Sequence, residues 1–128
     1  MLGLPLKKVI LVGDSAGGNL ILGVTLKAIH SNFKVPDGLI LCYPALNLSL
    51  NTFNPSHLIS LEDLILPYSF LKICLELYVA EGDPDRDPFL SPILINDEDL
   101  RKFPPVRIMI AGKDPLRDDS FKFALRLL

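Results

Sequence analysis

Gly13-Asp14-Ser15-Ala16-Gly17 is the stretch whose residue types and spacing could carry out covalent chemistry. It fits G-x-S-x-G, in which a serine rides a sharp strand-to-helix turn that lifts its hydroxyl away from the backbone. Before it stands Lys8-Val-Ile-Leu-Val12, a β-branched and aliphatic run with the pattern of a strand buried on both faces. After it comes Asn19–His30, where Leu20, Val24 and Lys27 or Ala28 recur at helical spacing. Gly13 and Gly17 are expected to permit the turn, because a Cβ at either would meet the neighbouring strand or helix. Ser15 would then attack an acyl carbonyl. The N–H of Ala16, at the positive end of the helix, would donate to the oxyanion that develops. The competing reading is a phosphate-cradling turn, or a plain connection of the same shape.

A serine nucleophile needs a base and an acid that orients the base. Asp114, in Gly112-Lys-Asp-Pro-Leu-Arg-Asp118 just past a third strand, falls at the same carboxyl edge of a parallel sheet as Ser15. Pro115 keeps the backbone at Asp114 out of helix. Asp114 could instead cap the helix that follows, as could Asp118 or Asp119. The chain has 2 histidines for the role of base. His30 lies along the helix that leaves the turn, roughly 22 Å from Ser15 at 1.5 Å per residue, and is out of reach. His57 falls in a polar loop and reads as a solvated histidine. Hydrolases of this design place the serine, the acid and the histidine in that chain order, so the base is expected beyond Leu128.

The elements that must position these groups alternate. Gly38-Leu-Ile-Leu-Cys-Tyr43 is a second strand closed by Pro44, and Pro105–Ala111 is a third. Asn47–Ser60 is rich in Asn, Ser and Pro and reads as a loop. Leu61–Ala80 carries a helix from Tyr68 to Tyr78, and its Leu64–Ala80 stretch reads as a core helix or as a wall of an apolar acyl pocket. Glu81–Pro88 is an acidic turn, and a helix starts at Arg117. Strand, helix, strand, helix, strand, helix predicts an α/β fold, a mostly parallel sheet with helices covering its faces.

Composition excludes several classes. A length of 128 residues allows one domain, and 49% hydrophobic with 22% charged residues is globular rather than disordered. A net charge of −2 without like-charge blocks gives no support to nucleic-acid binding. Leu64–Ala80 is interrupted by Pro67, Ser69, Lys72 and Glu76 and does not read as a membrane span. Cys42 and Cys74 sit in apolar runs and read as reduced core thiols, which points to a cytoplasmic protein. The opening Met1–Lys8 does not have the order of a secretion signal. No metal-ligand pattern or cofactor motif stands out, and the sequence sets no oligomeric state.

Gly13-Asp-Ser-Ala-Gly-Gly-Asn-Leu20, Asp87-Pro-Phe-Leu-Ser-Pro92, Phe103-Pro-Pro-Val106 and Asp114-Pro-Leu-Arg-Asp118 together resemble the hormone-sensitive-lipase family of α/β hydrolases. Val35-Pro-Asp-Gly38, Tyr43-Pro-Ala45, Leu58-Ile-Ser-Leu61 and Leu66-Pro67 are similar to its lipase side rather than its bacterial esterases. The resemblance implies Ser15 as nucleophile, Asp114 as triad acid and Ala16 as an oxyanion donor. It also implies a small-molecule or lipid ester substrate such as an acylglycerol, contact with a lipid surface, and no cofactor. The family's His-Gly-Gly oxyanion loop and its histidine have no counterpart here. Residues 1–128 are therefore expected to be the central to C-terminal portion of one α/β-hydrolase domain, inactive alone. Only the 8 residues Val79–Arg86 separate Tyr78 from Asp87, where animal members carry a phosphorylated regulatory insertion. The alternative is a non-catalytic small-molecule-binding protein of the same fold, similar to the plant gibberellin receptor, which keeps the serine turn without a working triad.

Overall fold

The three aliphatic runs form one parallel sheet in a computed structural model that describes residues 7–128. The strands are β1 (Ile10–Asp14), β2 (Gly38–Cys42) and β3 (Val106–Met109), in the spatial order β1-β2-β3. Their register sets Ile10 against Gly38, Asp14 against Cys42, and Cys42 against Met109, so all three carboxyl ends lie along one edge. Helix α1 (Ala16–His30) joins β1 to β2. Between β2 and β3 lie α2 (Pro55–Ile59), α3 (Tyr68–Val79), a 3₁₀ turn at Pro92–Leu94 and α4 (Asp97–Leu100); α5 (Arg117–Arg126) follows β3.

Leu22 and Leu26 of α1, Leu39 and Leu41 of β2, and Phe123 of α5 meet in one core with Leu46, Ile95 and Leu100. Each of these fully buried side chains contributes about 1.5–3 kcal/mol relative to exposure. Leu39 and Leu41 point to the same side of β2, so α1 and α5 pack on one face of the sheet. The other face corrects the expectation of strands buried on both sides. There Ile10 is 56% exposed and Val12 64%, and Met109 also faces out. The stripe of α1 is corrected as well: Leu20 and Val24 are exposed, while Leu22, Thr25 and Leu26 face the core. In a helix so apolar all round, spacing alone does not choose the buried side. The helix ends in a Schellman motif, with the Phe33 N–H on the Ala28 carbonyl at 2.8 Å, the Asn32 N–H on Ile29 at 3.2 Å, and Asn32 at φ 50°.

The Asn47–Ser60 loop contains α2, one turn started by Pro55 behind an Asn54 cap. Helix α4 is likewise short, and the Asn96 side chain accepts the Asp99 N–H to cap it. Cys74 is exposed on α3 rather than a core thiol, and Cys42 is half-buried. No helix among the described residues is long and apolar enough to cross a membrane.

Candidate active site

Strand β1 runs two residues past Val12, through Gly13 and Asp14, and the chain then turns at Ser15 with φ 49° and ψ −117°. This left-handed backbone is sterically disfavoured for serine, and four hydrogen bonds hold it in place. The Ser15 N–H donates to the Cys42 carbonyl at 2.9 Å. The Ser15 carbonyl accepts from Gly18 at 3.1 Å, Asn19 at 3.3 Å and Ala45 at 3.1 Å. Although Ser15 occupies the N-cap of α1, its hydroxyl makes no capping bond. Ala16 opens the helix, where an N–H has no intrahelical acceptor.

The glycines divide differently from the sequence expectation. A Cβ on Gly13 would lie 2.6 Å from the backbone carbon and oxygen of Gly17, as expected. On Gly17 it would meet only Asp14 Oδ1 at 3.6 Å, an ordinary contact, so the steric role given to Gly17 is not found. Gly18 carries it instead, because a Cβ there would sit 2.7 Å from the ring of buried Pro44. Gly13→Ala and Gly18→Ala are each expected to destabilise by about 3 kcal/mol, the upper end of overpacking costs. Gly17→Ala should instead gain up to about 1 kcal/mol by stiffening the first helical turn. Chemical denaturation of the three variants checks the order, and a Gly17→Ala loss as large as the other two contradicts it.

Ser15 and Asp114 line one cleft of about 520 Å³, together with Tyr43, Asp63, Ile65 and Leu66. Asp114 Oδ1 accepts the Leu116 N–H at 2.8 Å, forming a turn just ahead of α5 rather than a cap on it. Burial pushes the Asp114 carboxyl above its usual range, and the nearby charge of Asp63 pushes the same way, against the Leu116 hydrogen bond. The neighbouring acids are engaged elsewhere. Asp118 accepts the Ser56 N–H at 2.8 Å, and buried Asp119 accepts from Asn54 Nδ2 at 2.9 Å and pairs with Lys122 at 3.0 Å. Both tie α2 to α5.

Neither histidine lines the cleft. His30 Nε2 lies 2.8 Å from Asp99 Oδ2, at the far end of α1. His57 is buried, which corrects its reading as a solvated loop residue. Its Nδ1 accepts the Asn54 N–H at 3.3 Å, closing a capping box on α2, and its ring stacks on Tyr68 at 4.2 Å. Burial lowers its pKa, outweighing the carboxylates of Asp119 and Asp118.

Three site residues escaped the sequence reading. Asp63 accepts the N–H groups of Ile65 and Leu66 on Oδ1, each at 2.8 Å, which lowers its pKa and folds the segment before α3 over the cleft. An acidic pair inside an apolar run, Glu62-Asp63, was the available signal. Buried Asn19 donates from Nδ2 to the carbonyls of Ala45 and Leu90, both at 2.8 Å, and so fixes two loops beside the serine turn. Tyr43 sits at the end of β2 with φ 39°. The apolar stretch Leu64–Ala80 reaches the cleft through Ile65 and Leu66, ahead of α3, whose buried residues are Leu71 and Leu75.

A parallel sheet whose strand turns through a strained serine into a helix, with an aspartate from a later strand end in the same cleft, defines an α/β hydrolase. The chain belongs to the family described as alpha/beta hydrolase fold, whose profile matches residues 2–128. It is 43% identical over 90 residues to hormone-sensitive lipase of Bos taurus, covering 68% of this chain and 12% of the lipase. It is 33% identical over 125 residues to an esterase of Acinetobacter venetianus, covering 94% and 39% respectively. Carboxyl esterase 2 of the fungus Tuber melanosporum superposes with TM-score 0.87 at 30% identity, over 98% of this chain and 41% of that one. A metagenomic hormone-sensitive-lipase homologue, EstE7, gives 0.80 at 31%, over 92% and 39%. The chain thus spans well under half the length of these lipases and esterases, within whose ester-hydrolase family it falls.

Proposed function

We propose that this chain carries the nucleophile and the acid of a serine ester hydrolase acting on lipid esters such as acylglycerols. Ser15 attacks the acyl carbon, the Ala16 N–H donates to the oxyanion, and Asp114 orients a histidine supplied from outside residues 1–128. Water then releases the acyl group. The observation that carries this reading is the Ser15 backbone: φ 49°, pinned by four hydrogen bonds, with an uncapped hydroxyl in the cleft that Asp114 shares. Strain at a non-glycine residue persists where the surroundings over-determine it, and such residues cluster at active sites.

The 128 residues alone turn over no ester in this reading, since both histidines are committed elsewhere and the sheet leaves Ile10, Val12 and Met109 open. They form the central to C-terminal portion of one hydrolase domain within a longer, cytoplasmic protein. Free Cys42 and Cys74 suit a reducing compartment. Leu64 at 99% and Ile65 at 90% exposure, beside the cleft, suit contact with a lipid surface.

Fluorophosphonate labelling of a lysate of the source organism, followed by peptide and intact-mass spectrometry, tests the reading. Label on Ser15 in a protein well above 14.2 kDa is the expected result. An abundant, folded long form that takes no label overturns it in favour of a non-catalytic small-molecule-binding protein.

A further inference from the structure

We infer that Tyr43 selects the alcohol portion of the ester, its ring forming the wall against which the leaving group packs. The inference rests on the hydrolase reading above and adds to it a specificity-determining residue. One step beyond the last registered pair, Asp14 and Cys42, Ser15 and Tyr43 stand side by side at the ends of adjacent strands. Both have left-handed backbones, φ 49° and 39°. Each also hooks to the next strand, Ser15 to the Cys42 carbonyl at 2.9 Å and Tyr43 to the Met109 carbonyl at 2.7 Å.

Tyrosine is poorly suited to that conformation, and Pro44 behind it narrows the choice further. Glycine would take the turn without strain. A bulky residue kept in such a position at the edge of a reactive cleft points to a use for its ring. Tyr43 lines the same cleft as Ser15 and Asp114 and is more than a third exposed there.

The chemistry says which part of the substrate lies there. The Ser15 Oγ–acyl carbon bond forms as the serine proton passes to the base. The acyl carbon–alcohol oxygen bond then breaks as that proton moves to the departing oxygen. The base must therefore touch both Ser15 Oγ and the alcohol oxygen while Asp114 orients it. The alcohol leaves on the Asp114 side of Ser15. The sheet order β1-β2-β3 puts the end of β2, and so Tyr43, between the strand of Ser15 and the strand that leads to Asp114. This assignment leaves the acyl chain the opposite side of Ser15.

The test uses the longest natural form of the protein, with two ester series. One holds the butyryl group and varies the alcohol from methanol to cyclohexanol; the other holds methanol and varies the acyl group from acetyl to octanoyl. Tyr43→Ala is expected to raise kcat/KM for cyclohexyl over methyl butyrate by about tenfold or more, the scale of a reshaped apolar pocket. Tyr43→Phe keeps the wild-type ratio, and the acyl series changes little in either variant. Tyr43→Gly, which relieves the left-handed backbone, supplies a second ringless variant should the alanine protein fail to fold. An acyl ratio that moves while the alcohol ratio stays, or no movement in either, overturns the assignment. A wild-type long form that neither hydrolyses these esters nor takes label at Ser15 overturns the hydrolase reading itself, and Tyr43's role with it.

Discussion

Replacing Ser15 with alanine is expected to lower ester turnover of the long form on the order of a millionfold, the loss seen when a triad nucleophile is removed. Stability should barely change. The Ser15 hydroxyl makes no capping bond, and the four bonds that shape the turn all use backbone atoms that alanine keeps. Ser15→Gly separates strain from chemistry: it is just as inactive, but it frees the backbone at φ 49°, so it should be about 1–2 kcal/mol more stable than Ser15→Ala. Steady-state hydrolysis of a short-chain ester and thermal melts of the three proteins read both effects. Retained activity in Ser15→Ala would remove the nucleophile assignment. A collapse of its melting temperature would show that the side chain holds the fold rather than serving a substrate.

The strength of the sequence signal followed the physics behind each element. Val9–Val12 and Leu39–Leu41 read as strands because aliphatic residues in unbroken runs have little else to form, and the G-x-S-x-G turn fixed where β1 hands over to α1. Helix α3 was legible from Tyr68 almost to its end at Val79. The one-turn helices α2 and α4 were not, since a single turn has no period to detect and both depend on a capping asparagine, Asn54 or Asn96, amid polar residues. The cues at Asn54-Pro55 were local and were masked by a loop-like composition.

The site divided along the same line. Ser15 and Asp114 could be placed because each follows a strand, and parallel strand ends share an edge. What tertiary packing decides stayed hidden. That Pro44 packs against Gly18, and that Gly17 is unconstrained, depends on a loop after β2 folding back on the helix. His57 looked solvated because the ring stacked on it, Tyr68, arrives from the start of α3, outside the polar loop, and nothing near His57 in sequence announces it; Phe53, four residues before it, was the one local cue. Asp63 reaches the cleft only because its own carboxylate curls residues 63–66 back over it.

Asp114→Asn should separate function from stability more sharply than any other change. Turnover of the long form is expected to fall about ten-thousandfold, because asparagine leaves the base in the wrong tautomer and cannot stabilise its protonated form. The fold should gain. Asp114 carries a carboxyl whose pKa is raised above the ordinary 3.8, chiefly by burial and then by the Asp63 charge. Between 3.8 and that raised value the folded chain holds more protons than the unfolded one, so stability falls as pH rises through this window. At neutral pH the penalty of the buried charge is fully present; below 3.8 it is gone. Asparagine removes the charge yet keeps an oxygen to accept the Leu116 N–H. Melting curves of residues 1–128, in which no histidine pairs with this carboxylate, should therefore show Asp114→Asn more stable than wild type at pH 7, with the gap closing as the solution is acidified through the carboxylate range. A group placed for packing would lose stability on replacement, whereas one held at a cost inside a reactive cleft gains it. If the variant is instead less stable at pH 7 and the difference ignores pH, Asp114 is a turn-former ahead of α5 and the triad's acid must be sought elsewhere. Asp63, whose lowered pKa keeps it ionised in the same cleft, is then the residue to replace next.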